Sequence, residues 1–311
     1  MAAVDVSFIT KRFGFVTALD AVNLSVPEKS VFGVLGPNGA GKTTLFSVIA
    51  GFIRPDIGKV SILGEEKREA LLGRIGILPQ DALFQADIPI IDQLTYFLRL
   101  MGWSLQDAEE EVLRVMKIVG LDSILLREAE TLSHGMYKRL ALAQAFLASP
   151  EIIILDEPTS GLDWRSSKVI REKILELKGS ATILVSSHNM TEMQQLCDHV
   201  AVLEKGRLVA VGPVDEVAGY ASSVTITLNR EPDEQVLAEC RQREGVQEMV
   251  LQDSMTYQIT FKPGLPPEDL DAIIHDVQQI ILSGGVTVKS LNEDNRIERL
   301  YMNVTESETG E

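Results

Sequence analysis

Apolar positions in the first 80 residues come in short runs and alternations, not in long stripes. Residues 4–9 and 21–26 predict strands, with Phe13 at the turn between them. Val31–Leu35 is a continuous apolar run, the pattern of a strand buried on both faces. It leads into a glycine-rich turn and a helix from about Lys42 to Ala50. Residues 60–63 and 75–78 predict two further short strands. From about 81 to 148 the period changes to 3.6, and 90–101, 107–119 and 135–148 each predict a helix. Strands return at 152–156, 182–186 and 199–203. The last pairs through Glu204-Lys205-Gly206 with 207–211 as a hairpin.

Gly212-Pro213 and Gly219 mark a boundary. Beyond it Val224, Ile226 and Leu228 alternate with Thr225, Thr227 and Asn229, as in a half-buried strand. Residues 233–243 predict a helix, and Tyr257, Ile259 and Phe261 alternate again. Leu270, Ile273, Ile274, Val277 and Ile281 make one helical stripe within 266–282. A strand at 286–288 and a helix at 293–304 follow. The order is close to βαββαβ, the split βαβ plan. Residues 306–311 are expected to be a disordered tail.

The chemistry sits at two strand ends. After residues 31–35 the chain reads Gly36-Pro37-Asn38-Gly39-Ala40-Gly41-Lys42-Thr43-Thr44. This is G-x-x-x-x-G-K-[ST] between a buried strand and a helix. Glycines at 36, 39 and 41 let the backbone wrap closely round phosphate oxygens. Successive N–H groups and the helix N-terminus then face the anion. Lys42 supplies charge for the β- and γ-phosphates, and the Thr43 hydroxyl is placed for Mg²⁺. Further on, Ile152-Ile153-Ile154-Leu155 is an apolar strand that ends in Asp156-Glu157. Ligands in parallel sheets sit at the carboxyl ends of strands. Asp156 is therefore expected to hold Mg²⁺ through water, and Glu157 to polarise an attacking water. A strand-end acid can instead cap the next turn, which Pro158 and Gly161 mark, but the phosphate loop upstream favours the catalytic reading.

Composition narrows the classes. A chain of 311 residues has room for one large domain and a small one. No apolar stretch approaches the ~18–20 residues of a membrane span. The start, Met-Ala-Ala-Val-Asp, lacks a basic region followed by an apolar core, so no secretory signal is expected. Cys197 and Cys240 are far apart, form no metal or redox motif, and suit a reducing compartment. Residues 221–311 hold 7 Lys/Arg against 17 Asp/Glu, so most of the net charge of −16 lies there. An acidic surface argues against nucleic acid as a partner.

Between the two strand-end elements, Leu132-Ser133-His134-Gly135-Met136 precedes a helix with Leu140, Ala143 and Leu147 on one stripe. At this point the chain resembles the nucleotide-binding subunit of ATP-binding cassette (ABC) transporters, over roughly residues 3–217. Six motifs stand in family order. They are the adenine-stacking aromatic (Phe13 in Lys-Arg-Phe-Gly), the phosphate loop, Leu78-Pro79-Gln80, and the signature at 132–136. The strand with its acids, running into Ser160-Gly161-Leu162-Asp163, and Ser186-Ser187-His188 complete the set. Two motifs depart from the family pattern, at three positions. His134 and Met136 stand where the signature usually has glycine and glutamine, and Phe13 stands where tyrosine is common.

The resemblance implies an α/β P-loop NTPase: a cassette at 1–217 with a mixed central sheet, a helical subdomain at about 81–148, and a small α+β domain of βαββαβ type at 221–305. It implies ATP and Mg²⁺ as cofactors. Phe13 would stack on adenine, and Gly36, Pro37, Asn38, Gly39, Ala40, Gly41, Lys42, Thr43 and Thr44 would hold phosphate. Thr43, Gln80 and Asp156 would serve the metal. Glu157 would activate water, and His188 would contact the γ-phosphate. Ser133 and Gly135 would reach the γ-phosphate of ATP held by a second nucleotide-binding subunit, with Asp163 counted beside them. The partners implied are that second subunit, as a homodimer, and a separately encoded membrane permease. The location implied is peripheral, on the cytoplasmic face of the membrane. The ending Ser290-Leu291-Asn292-Glu293-Asp294 followed by 297–305 is similar to that of bacterial drug, antibiotic, lipid and polysaccharide exporters, as are Leu-Ser-His-Gly-Met and Ala-Leu-Ala-Gln at 141–144. An importer ATPase, or a soluble ABC ATPase outside transport, is the alternative.

Overall fold

The structure, a computed structural model, describes residues 2–218, 223–262, 265 and 267–294. The chain divides into two compact units, residues 1–214 and 215–311.

In the first unit β1 (Ala2–Phe13) and β2 (Val16–Pro27) form an antiparallel hairpin. Phe13 pairs with Val16, so the turn is Gly14 and Phe15. Phe13 is thus the last residue of a strand and not the turn residue expected. Then come β3 (Val31–Leu35), α1 (Lys42–Ala50) and β4 (Ile57–Ile62), the last adding to β1 in a three-stranded sheet of order β2-β1-β4. After β5 (Ile75–Leu78) the chain turns helical. α2 (Ile90–Leu100), α3 (Leu105–Ile118) and α4 (His134–Phe146) occupy the stretch where the 3.6-residue period is clear. The rest of the unit is β6 (Ile152–Leu155), α5 (Trp164–Glu176), β7 (Thr182–Ser187), α6 (Met190–Leu196), β8 (His199–Glu204) and β9 (Arg207–Pro213). A short α7 (Val214–Ala218) follows.

The central sheet has the order β5-β6-β7-β3-β8-β9. The first five strands are parallel and β9 is antiparallel, so the sheet is mixed. Every residue of β3, β6 and β7 is buried, which accounts for the apolar runs of β3 and β6 and for Ile183-Leu184-Val185 in β7. Because these strands are parallel neighbours, the loops that follow β5, β6, β7 and β3 leave the same edge side by side. One close approach fixes the back of that edge. A β-carbon on Gly33 would lie 2.6 Å from Met193 Sδ and 2.9 Å from Cys197 Sγ, so only glycine lets α6 pack this tightly on β3. Burial pushes the Cys197 thiol up to about 12 and the Cys240 thiol up to about 11. Both stay protonated at neutral pH and act as packing groups.

The second unit contains β10 (Ser223–Leu228), α8 (Glu234–Gln242), β11 (Val246–Asp253), β12 (Thr256–Phe261), α9 (Pro267–Ser283) and β13 (Val288–Asp294). This is βαββαβ. The sheet is antiparallel throughout, in the order β11-β12-β10-β13. Val224, Ile226 and Leu228 of β10, with Tyr257, Ile259 and Phe261 of β12, meet the α9 stripe of Leu270, Ile273, Ile274, Val277 and Ile281 in one core. Two details differ from the sequence expectation. β11 was not foreseen. The strand foreseen at 286–288 instead starts at Val288 and runs through Glu293 and Asp294, which had been given to a helix. The remainder of that helix, and the tail at 306–311, lie outside the described residues.

Candidate functional site

The phosphate-loop geometry follows from its glycines. Gly39 and Gly41 have φ of 81° and 106°, in the left-handed region. A β-carbon on Gly36 would meet Leu203 O at 2.4 Å, and one on Gly41 would meet Ala18 O at 2.5 Å. Gly41 is the N-cap of α1 and offers no side-chain cap. The first N–H groups of α1 are therefore left to an external acceptor, which suits an anion. Lys42, 6% exposed, folds back over the loop and donates to Gly36 O at 2.6 Å and Pro37 O at 3.1 Å.

The same ammonium lies 3.2 Å from Glu157 Oε1, with both side chains buried. Sequence reasoning gave Lys42 to phosphate and Glu157 to water; the fold pairs them. Glu157 is the second residue after β6 and has a φ of 48°, a conformation that costs a residue with a β-carbon roughly 1–2 kcal/mol. It is held there from the neighbouring strand. Ser186 Oγ accepts the Glu157 N–H at 2.8 Å and donates to Asp156 Oδ1 at 2.5 Å. Ser186 has no exposure, so one hydroxyl fixes both acids. His188 leaves the end of β7, and its Nδ1 lies 3.2 Å from Glu157 Oε2. Glu157 is thus flanked by the loop lysine on one oxygen and by His188 on the other.

At the start of α1, Thr43 meets Gln80. Thr43 Oγ1 donates to Gln80 Oε1 at 3.4 Å, and Gln80 O accepts from Lys138 Nζ at 3.2 Å. Asp156 heads the adjacent strand end. Thr43, Gln80 and Asp156 are a set of hard oxygen ligands without nitrogen or sulfur, and they fit Mg²⁺ that completes its shell with phosphate and water. Among the described residues no group of three His, Cys, Asp or Glu could hold a metal by itself.

The remaining expected residues lie apart from this cluster. Phe13 is half-exposed at its hairpin end, with Lys11 Nζ 5.5 Å from the ring centroid. Its open ring face can stack on a base. Ser133 caps α4 by accepting the Met136 N–H at 3.3 Å. A β-carbon on Gly135 would come within 2.9 Å of Ser166 Oγ, and one on Gly161 within 3.3 Å of His134 Nε2. The signature segment therefore lies against the turn that opens α5. Asp163 is the N-cap of α5. It accepts the Ser166 N–H at 2.9 Å and the Ser166 hydroxyl at 3.0 Å, and these bonds hold its carboxyl below the usual range. Among the described residues no hydrogen bond or ion pair joins Ser133, Gly135 or Asp163 to residues 36–44.

The sequence and fold of the first unit are matched in known proteins. The ABC transporter family model fits residues 19–160. An uncharacterized ABC transporter ATP-binding protein of Bacillus subtilis, YhaQ, is 33% identical over 229 residues, 73% of this chain and 77% of that protein. The chain belongs to the ABC transporter ATP-binding family. The Nod factor export ATP-binding protein I of Rhizobium etli is 34% identical, over 70% of this chain and 72% of that protein. Among solved structures, the ADP conformation of the ATP-binding cassette MJ1267 has a TM-score of 0.61 at 27% identity. It covers 70% of this chain and 94% of that cassette. As an ABC ATP-binding protein the chain binds ATP and hydrolyses it.

Sequence reasoning missed Ser186, Ser187 and Glu192. The two serines stand inside the histidine motif but carried no role of their own. Glu192 had a readable signal: it stands three residues after Asn189, the spacing of a capping box.

Stacking does not read hydrogen-bond edges, so a base stacked on Phe13 would be chosen loosely. The purified protein is expected to accept GTP with an affinity within about tenfold of that for ATP, and Phe13→Ala to weaken both by about 1–3 kcal/mol. Competition titrations with the two nucleotides check this; strong rejection of GTP contradicts it.

Proposed function

We propose that this ABC ATPase drives export of a substrate through a separately encoded membrane permease. The observation that carries the chemistry is Glu157, buried one residue past Asp156 and held between Lys42 and His188. Lys42 and the N–H groups of the loop would bind the β- and γ-phosphates. Thr43, Gln80 and Asp156 would hold Mg²⁺, whose chemistry is to neutralise phosphate charge during transfer. On nucleotide binding Lys42 exchanges Glu157 for phosphate oxygens, which frees the carboxylate to accept a proton from the attacking water. His188 Nδ1, then released as well, would turn to the γ-phosphate.

Ser133, Gly135 and Asp163 would serve the γ-phosphate held by a second copy. A composite site between two copies would bring them to the phosphate loop of the partner. No described helix is long and apolar enough to cross a membrane. Leu83, 85% exposed, lies in the segment just after Gln80 and is a candidate permease contact. The export direction is supported by the likeness to the Nod factor export protein. The test is purification of the full chain from membranes together with its partners. Expected are a membrane-spanning protein in the same complex and Mg²⁺-dependent ATP hydrolysis. A chain active in ATP hydrolysis yet bound to no membrane protein would count against transport.

The cassette would occupy 1–217 and the small domain 221–305. Among the described residues of the second unit the only histidine is His275, and no metal-ligand cluster exists. A regulatory or dimerising role is proposed for this unit. A chain ended after Gly219 is expected to bind ATP as the full chain does, but to self-associate less or to hydrolyse at an altered rate. Sedimentation and ATPase rates that match the full chain would remove this assignment.

A further inference from the structure

Two turns carry the chemistry: the one that leaves β6 with Asp156 and Glu157, and the one that leaves β7 with His188. Close to both lies a carboxylate that no step above uses. Glu192, in the first turn of α6, is 7% exposed. One of its oxygens accepts the Thr159 hydroxyl at 2.6 Å, and the other accepts the Ser187 hydroxyl at 2.8 Å. Thr159 stands two residues after Glu157, and Ser187 directly before His188. Ser187 Oγ in turn accepts the Asn189 N–H at 3.0 Å.

Capping of α6 explains only part of this. In a capping box the glutamate reaches back to the N–H of the N-cap residue. Here Asn189 caps α6 by accepting the Glu192 N–H at 3.0 Å, while its own N–H goes to Ser187. The bond from Glu192 to Thr159 adds nothing to α6. It reaches into the other turn, across 33 residues of sequence. A buried carboxylate with both oxygens occupied by hydroxyls from two different turns is a cross-link between them.

We infer that Glu192 is a positioning residue for hydrolysis, tying the Glu157 turn to the His188 turn so that base and imidazole keep their mutual placement. The inference rests on the reading of Glu157 as the group that activates water.

The test uses the full chain with ATP and Mg²⁺. Glu192→Ala removes both bonds, and kcat is expected to fall about 10- to 100-fold, the scale of a displacement near 1 Å at a reacting group. Because Glu192 touches no nucleotide-binding group, the Kd for ATP measured without Mg²⁺ and the binding stoichiometry are expected to stay unchanged. Glu192→Gln can donate its amide to Thr159 and accept from Ser187, so it is expected to restore most of kcat. Thr159→Val cuts the bond between the turns and leaves the cap of α6 whole; about a tenfold loss of kcat is expected. It also decides the matter if Glu192→Ala does not fold.

Wild-type kcat in Thr159→Val or Glu192→Ala overturns the inference. So does a loss of kcat matched by an equal loss of nucleotide-binding stoichiometry, since that reports unfolding. Glu157→Gln, run in parallel, separates the two levels. If it keeps wild-type turnover, the base assignment falls and the positioning role falls with it. If it is inactive while Thr159→Val is normal, only the positioning role falls.

Discussion

Lys42→Ala is expected to bind ATP at least about 100-fold more weakly than the wild type and to show no turnover. The lysine would make charge-assisted bonds to two phosphates, each worth about 1.5–3 kcal/mol, and the sum corresponds to roughly 10²–10⁴ in affinity. A second effect comes from the pairing of Lys42 with Glu157. Lys42 is the buried cation beside Glu157 and also donates to Gly36 O and Pro37 O. Its removal leaves a buried carboxylate without its cation, a change that costs up to about 3–5 kcal/mol when no group takes over. His188 stands against the other carboxylate oxygen and limits the loss. The variant is therefore expected to unfold at a lower temperature even without nucleotide. Isothermal titration and a melting curve measure the two effects separately. Unchanged ATP affinity would remove Lys42 from the site.

Glu157→Gln is expected to separate binding from turnover. A positioned general base contributes about 10²–10⁴-fold, and hydrolysis should fall by that factor. Affinity should move the other way. In the wild type ATP must draw Lys42 away from Glu157, whereas a neutral glutamine holds the ammonium less firmly. ATP is therefore expected to bind the variant as tightly as the wild type or tighter, and to hold two copies together because the closed state is not consumed. Steady-state hydrolysis, ATP titration and sedimentation with ATP read these outcomes. Near-wild-type turnover would show that another group handles the water.

Much of this was legible in the sequence because it is local. A phosphate loop is one strand, one turn and one helix start, and its glycines are required by backbone contacts within that unit. The strand-end acids were legible because β6 is apolar at every position and stops where the acids begin. The alternations around Val224–Leu228 and Tyr257–Phe261 gave β10 and β12 because each buries one face. β11 was not legible: register shifts at both ends, between Val246 and Glu248 and between Leu251 and Asp253, break its period of two. The extent of β13 was hidden for another reason. Ser290, Asn292 and Glu293 are poor strand formers, and they are extended because β10 supplies their backbone partners from Thr227 to Val224.

The sequence by itself determined which chemical groups each loop carries. Only the tertiary structure decided how the loops meet. The order β5-β6-β7-β3 is not the order of the chain, and it sets Gln80, Glu157, His188 and the phosphate loop along one edge. From that follow the pairing of Lys42 with Glu157, the Ser186 hydroxyl shared by Asp156 and Glu157, and the Glu192 bridge between two turns. Lys42–Glu157, Ser186–Asp156, Ser186–Glu157 and Thr159–Glu192 each join residues about 30 or more apart in sequence, and no periodicity encodes such contacts. They exist because parallel strands need crossover helices, so strands adjacent in the sheet, and the loops at their ends, are distant along the chain.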